Sequence, residues 1–218
     1  MKLISLNVGL PREIVYNGRS ILTGIFKEPA GGRVRARRLN LDGDRQADLR
    51  LHGGAEKAVY AYPSEHYEYW RNELPDMKLP WGMFGENFTV EGLNEKEVNI
   101  GDRFRVGDAL FMVTQPRMPC YKLAAKFERD DIIKRFLESE RTGFYFSVIE
   151  EGEVGAGDAI ELVSKDEHNI TVTNITQLYV SKGEDQDLLR RAAVLEALPA
   201  KWRDYFLDKI ESVDERLD

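Results

Sequence analysis

Cysteine and histidine are scarce in this chain: one cysteine, Cys120, and three histidines, His52, His66 and His168, among 218 residues. One thiol excludes an intramolecular disulfide, and so few soft ligands argue against a tetrahedral structural zinc. Long apolar runs are missing too. None approaches the roughly 20 residues that cross a bilayer, and the opening stretch meets Gly9 and Pro11 too early to serve as a signal-peptide hydrophobic region. A cytoplasmic protein with no membrane role is expected. Positive charge is in deficit, with 31 Lys and Arg against 38 Asp and Glu and a net charge of -7. No global field draws in phosphate backbones, so nucleic acid is not an expected partner and any anion site must be a local basic pocket. Also absent are the P-loop, the dinucleotide fingerprint, the nucleophile elbow and the His-Glu-x-x-His metal motif.

What is present is enough apolar sequence, 42%, for one substantial core with room for a small second module. Residues 2–8, 20–27, 33–40, 57–62, 87–90, 103–106 and 109–114 are short segments of β-branched, aromatic or alternating character. They predict a barrel or heavily bent sheet. Two helices interrupt them, 64–73 with Ser64 as a capping candidate and 119–140, after which strands return at 143–149 and 158–163 with a turn over 151–158. From 164 the character changes. A polar connector and a strand-like 170–173 lead into helical stretches at 175–180, 185–195 and 199–210, the last two amphipathic. The expected division is a β domain over 1–163 and a small helical module over 164–218.

The chemistry-bearing stretches are few. Cys120 closes Gln115-Pro116-Arg117-Met118-Pro119-Cys120, where two prolines stiffen the approach to a helix start and Arg117 and Lys122 favour a thiolate. A buried cysteine acting as a small hydrophobe remains open. Gly43-Asp44 through Asp48 and His52-Gly53-Gly54 lead through Lys57 into a strand, setting an imidazole beside backbone able to approach an anion. His52 could equally be a turn residue bonded to Asp48. His66 reads as structural or solvated and His168 as a connector residue. Gly82 to Thr89 offers a glycine-flanked loop with the Asn87 amide, or simply a tight turn. Strand alternation puts Arg33, Arg35 and Arg37 on one face, as an anion site or as the protective charges of an edge strand.

Taken together, these stretches resemble the MOSC domain, named for the C-terminal domain of molybdenum cofactor sulfurase, and within it the stand-alone bacterial YiiM-type branch. The residues that carry the resemblance are Gly43-Asp44 to Ala47-Asp48, His52-Gly53-Gly54 with Lys57-Ala58-Val59-Tyr60-Ala61-Tyr62-Pro63, Phe84-Gly85-Glu86-Asn87-Phe88, Ile100-Gly101-Asp102, Gln115-Pro116-Arg117 with Pro119-Cys120, and Gly157-Asp158. The tail is similar to the branch's three-helix extension. The resemblance implies a mainly β fold with α, a MOSC-type β-barrel core, whose cavity holds Cys120 as ligand to the molybdenum of a molybdopterin-type cofactor. By analogy with the mitochondrial amidoxime-reducing component, it implies reduction of N-hydroxylated compounds such as hydroxylaminopurines. Cys120 and His52 are then the expected catalytic residues, and Arg117, Asn87, Gly53, Gly54, Lys57, Arg33 and Arg35 the expected cofactor contacts. Ser147 departs from the basic residue expected at its position. Pyridoxal phosphate attaches to the family only through the parent sulfurase, whose other domain is not found here.

The chemistry expected is two-electron reductive cleavage of an N–O bond at molybdenum, with His52 or a water supplying protons. A small N-hydroxylated substrate and a separate electron-donor protein are the partners this requires, because no ferredoxin cysteines or flavin fingerprint occur in the chain. A homodimer is left open. Two rival readings stand beside it: a cofactor or oxyanion carrier without turnover, and a metal-free enzyme with Cys120 as nucleophile.

Overall fold

A computed structural model describes residues 1–48, 53–182 and 184–214. Its strands are β1 (Lys2–Val8), β2 (Arg12–Tyr16), β3 (Arg19–Thr23), β4 (Glu28–Pro29), β5 (Val34–Ala36), β6 (Val59–Pro63), β7 (Phe88–Glu91), β8 (Arg103–Val106), β9 (Ala109–Pro116), β10 (Phe144–Glu150), β11 (Gly152–Val154) and β12 (Ile160–Ser164). Eight form one sheet in the order β12-β8-β9-β10-β6-β7-β1-β4, antiparallel except for the parallel pair β6–β7. Register shifts between β1 and β7, β9 and β10, and β8 and β12 add the local twist that bends a sheet. The sheet curls far enough to bring β1 against the entry to β12: Lys2 bridges Ala159, and the Ile160 N–H donates to the Met1 carbonyl at 3.0 Å.

Alternation along β6 divides two cores. Val59 and Ala61 point into the interior of the bent sheet beside Phe88, Phe104, Phe111, Phe144 and Phe146. Tyr60 and Tyr62 point the other way, into an aromatic cluster with Tyr67, Trp70, Phe84, Phe127 and Phe136. That second cluster is covered by α1 (His66–Glu73), α2 (Tyr121–Phe127) and α3 (Ile132–Glu138). The three tail helices, α4 (Val172–Val180), α5 (Gln186–Ala193) and α6 (Ala200–Asp214), dock on the first core through Ile175, Leu178, Leu189, Leu195 and Phe206.

Several boundaries differ from the sequence expectation. The single helix expected over 119–140 is two, because Glu128 adopts a left-handed conformation, φ 52°, and ends α2. Ser64 makes no side-chain cap; its carbonyl accepts from the Tyr67 N–H at 3.0 Å in a turn before α1. The strand expected at 170–173 is one bridge, Asn99–Thr171, after which the Thr171 side chain caps α4 in a reciprocal box with Asn174. The turn over 151–158 contains β11, which pairs with β5. The hairpin β2–β3 turns on Asn17-Gly18, both at positive φ.

Candidate functional site

Loops from both sides of the aromatic cluster leave a cleft open to solvent. Its wall carries five cations, Lys27, Arg45, Lys57, Arg117 and Lys122, with Cys120, Tyr60, Tyr145 and Asn87. Among the described residues, Cys120 is the sole Cys, His, Asp or Glu side chain lining it. The basic pocket demanded by an acidic chain is therefore local.

Cys120 stands at the residue before α2, half-buried on the cleft wall and in neither apolar core. Arg117 follows β9 and is 5% exposed, its guanidinium 5.6 Å from the Tyr60 ring centre and 5.1 Å from that of Phe136. The Arg117 Nη1 is buried with no hydrogen-bond partner, a costly state for a charged donor unless a ligand completes it. Tyr145, also on the cleft wall, has its pKa raised by burial, opposed by the charge of Arg117 and assisted by Cys120. Lys57 ends a 3-10 turn, Ala55–Lys57, and its pKa is lowered by burial and then by the nearby charge of Lys201.

Asn87 lines the cleft, yet its amide is already occupied. Nδ2 donates to the Asn7 carbonyl at 3.2 Å and to Asp44 Oδ2 at 3.0 Å, while Oδ1 accepts from the Tyr60 N–H at 3.1 Å. Asp44 also accepts from the Gly9 N–H at 3.0 Å and from Lys27 Nζ, so it holds two loops and counters one cleft cation. Burial lowers the pKa of Lys27 against this pairing. Beneath the loops runs Lys126, whose Nζ donates to the Ile25 carbonyl at 3.0 Å and to the Gly82 carbonyl; burial pulls its pKa down to about 7 against the opposing charge of Glu86. Glu86 itself accepts from the Gly82 N–H at 2.7 Å, the Phe84 N–H at 3.0 Å, Thr89 Oγ1 at 3.0 Å and the Tyr67 hydroxyl. Burial raises its pKa. In Phe84-Gly85-Glu86-Asn87 the polar side chains thus shape the loop, and Gly85, at φ +83°, is needed because a Cβ would meet Ile25 Cγ1 at 2.7 Å.

The structure brings Cys120, Arg117, Lys57 and Asn87 together. His52 lies outside the described residues. Gly53 and Gly54 do not line the cleft; Gly54, at φ +99°, opens the turn that ends in Lys57. Arg33 and Arg35 are not brought to the cleft either, because carboxylates on the neighbouring segment hold them outward. Arg33 pairs with Asp158 at 2.8 Å and Arg35 with Glu151 at 3.8 Å, with side chains 49% and 44% exposed. Ser147 lies on β10, donating to the Met112 carbonyl at 3.4 Å, away from the cleft. Sequence reasoning did not single out Lys27 or Tyr145 and took Arg45 and Tyr60 only as members of their stretches; the alternation of strands 59–63 and 144–150 was the clue to the two tyrosines.

A family model described as MOSC domain matches residues 48–161, and one described as YiiM-like, 3-alpha helix domain matches 170–213. The protein YflK of Bacillus subtilis is 43% identical over 206 residues, covering 94% of this chain and 93% of that one. The crystal structure of YiiM from Geobacillus stearothermophilus superposes with a TM-score of 0.81 at 32% identity, covering 96% of this chain and 98% of that one. A protein of Gibberella moniliformis named reductase is 31% identical over 88% of this chain, which spans 34% of its length. Among the described residues no helix is long and apolar enough to cross a membrane.

Proposed function

This chain belongs to the MOSC domain family and carries its YiiM-like three-helix extension, and from that membership we propose that the cleft binds a molybdenum cofactor of molybdopterin type and reduces N-hydroxylated compounds. MOSC domains are associated with molybdenum cofactor binding in general, and one relative bears the name reductase. The observation that carries the reading is the buried, unpartnered Arg117 Nη1 beside Cys120, in a cleft lined by five cations and no carboxylate among the described residues. Such a set fits a group that is anionic and brings most of the metal's ligands itself, since the wall offers a single thiol, Cys120, besides the weaker thioether of Met118.

When bound, that group would supply two-electron chemistry, so that an N-hydroxylamine, two electrons and two protons give an amine and water. Cys120 would hold the metal through its thiolate. Arg117, Lys57 and Lys122 would bind the anionic part, Lys27 contributing less because Asp44 counters it. Tyr60 and Phe136 keep the Arg117 guanidinium in place from below. Electrons would come from a separate donor protein.

Metal analysis of protein made in a host that synthesises the pterin tests this. Wild type should retain molybdenum, and Cys120→Ala should lose it along with hydroxylamine reduction, at a stability cost of only about 0.5 to 3 kcal/mol. Activity surviving in folded Cys120→Ala would sink the metal-thiolate mechanism. Molybdenum retained without turnover would leave a carrier.

A further inference from the structure

The tail helices reach toward the site through Trp202. Trp202, near the start of α6, donates its indole N–H to Gln115 Oε1 at 2.9 Å. Gln115, two residues before Arg117, is buried, and its Nε2 donates to the Glu56 carbonyl at 3.3 Å. Thr114 Oγ1 donates to the same carbonyl at 2.7 Å. Glu56 immediately precedes Lys57 in the 3-10 turn. A chain of indole, amide and carbonyl therefore ends one residue from a cation of the cleft.

Docking the tail does not by itself require that chain. Leu189, Ala192, Leu195 and Phe206 are all at most 1% exposed in the shared core, and they hold the helices on the sheet without it. The Trp202 ring is in turn fixed against Tyr179 and Phe206, each with ring centres 5.7 Å away. Resting on the reading of the cleft as an anionic-cofactor site, we propose that the three-helix module is a working part of that site: Trp202 is a positioning residue that, through Gln115 and the Glu56 carbonyl, holds Lys57 toward the bound anion. After burial, the charge of Lys201, next to Trp202 in α6, lowers the pKa of Lys57.

Calorimetric titration of the full chain with inorganic pyrophosphate tests the inference without cofactor or turnover. Lys57→Ala and Trp202→Phe should each weaken binding about three- to tenfold, and the double variant should be no weaker than Lys57→Ala alone, because residues acting through one contact are not additive. The Tm of Trp202→Phe should move by only a few degrees, about what a loss near 1 kcal/mol produces. Additive losses, or full affinity in either single variant, overturn the proposal. If Trp202→Phe does not fold, Gln115→Met cuts the same chain from the strand side and decides in the same way. Wild type that binds no pyrophosphate overturns the reading of the cleft as well, whereas wild-type binding that Trp202→Phe and Gln115→Met leave intact overturns this inference alone.

Discussion

Arg117 and Asn87 face the same cleft and do opposite work. The guanidinium has a donor left over; the amide has none. Arg117→Ala should therefore weaken pyrophosphate binding about 10- to 100-fold at low salt and flatten its dependence on salt, which titrations at several ionic strengths read directly. Lys126 offers a different measurement. Its folded pKa of about 7 lies below the ordinary 10.5, so between those values the unfolded chain holds a proton the folded one has shed. Raising the pH through that window favours folding, and below about 7 the cost of burying the charge is fully present. Urea midpoints from pH 7 to 10 should rise more steeply in wild type than in Lys126→Met, whose side chain has nothing to titrate. Parallel slopes would show that Lys126 keeps an ordinary pKa.

At the level of elements, the loop between α1 and β7 is built round a carboxylate. Four donors converge on Glu86, and Glu86→Gln turns one acceptor into an N–H2 facing another donor, at a cost of about 1 to 3 kcal/mol by urea denaturation. Sequence left two readings of this loop open, a ligand-facing turn and a tight turn. Gly82, Gly85 and Asn87 stand out as a ligand-facing turn, but the partners that occupy Asn87, namely Asp44, Asn7 and Tyr60, come from three separate segments that no local pattern links. The strands at 103–106 and 109–114 were legible because their alternation is local. The end of α2 was not, since Glu128 in a left-handed conformation carries no sequence mark of the kind glycine gives. Arg33 and Arg35 illustrate the limit from the other side: alternation placed them on a shared face, and only the fold shows that Asp158 and Glu151 hold them there.

For the molecule as a whole, the tail and the sheet share one core, with Ile175, Leu189 and Phe206 packed in the same cluster as Phe104 and Phe146. A chain ending at Ser164 would bare that surface, so it should aggregate or lose cooperative unfolding, while the full chain melts in a single transition; a soluble truncation with its own sharp transition would show that the sheet stands alone. The bridge from Lys2 to Ala159 sets a further condition, on time rather than stability. β1 cannot take this neighbour until roughly 150 further residues have been made. Pairings so distant in sequence belong to the slow end of folding, on the order of milliseconds to seconds, and until then the Lys2 end of β1, beyond the stretch that β4 covers, stays open on one side to any other extended strand nearby. The growing chain, more than the finished protein, is where this fold is most exposed to wrong partners.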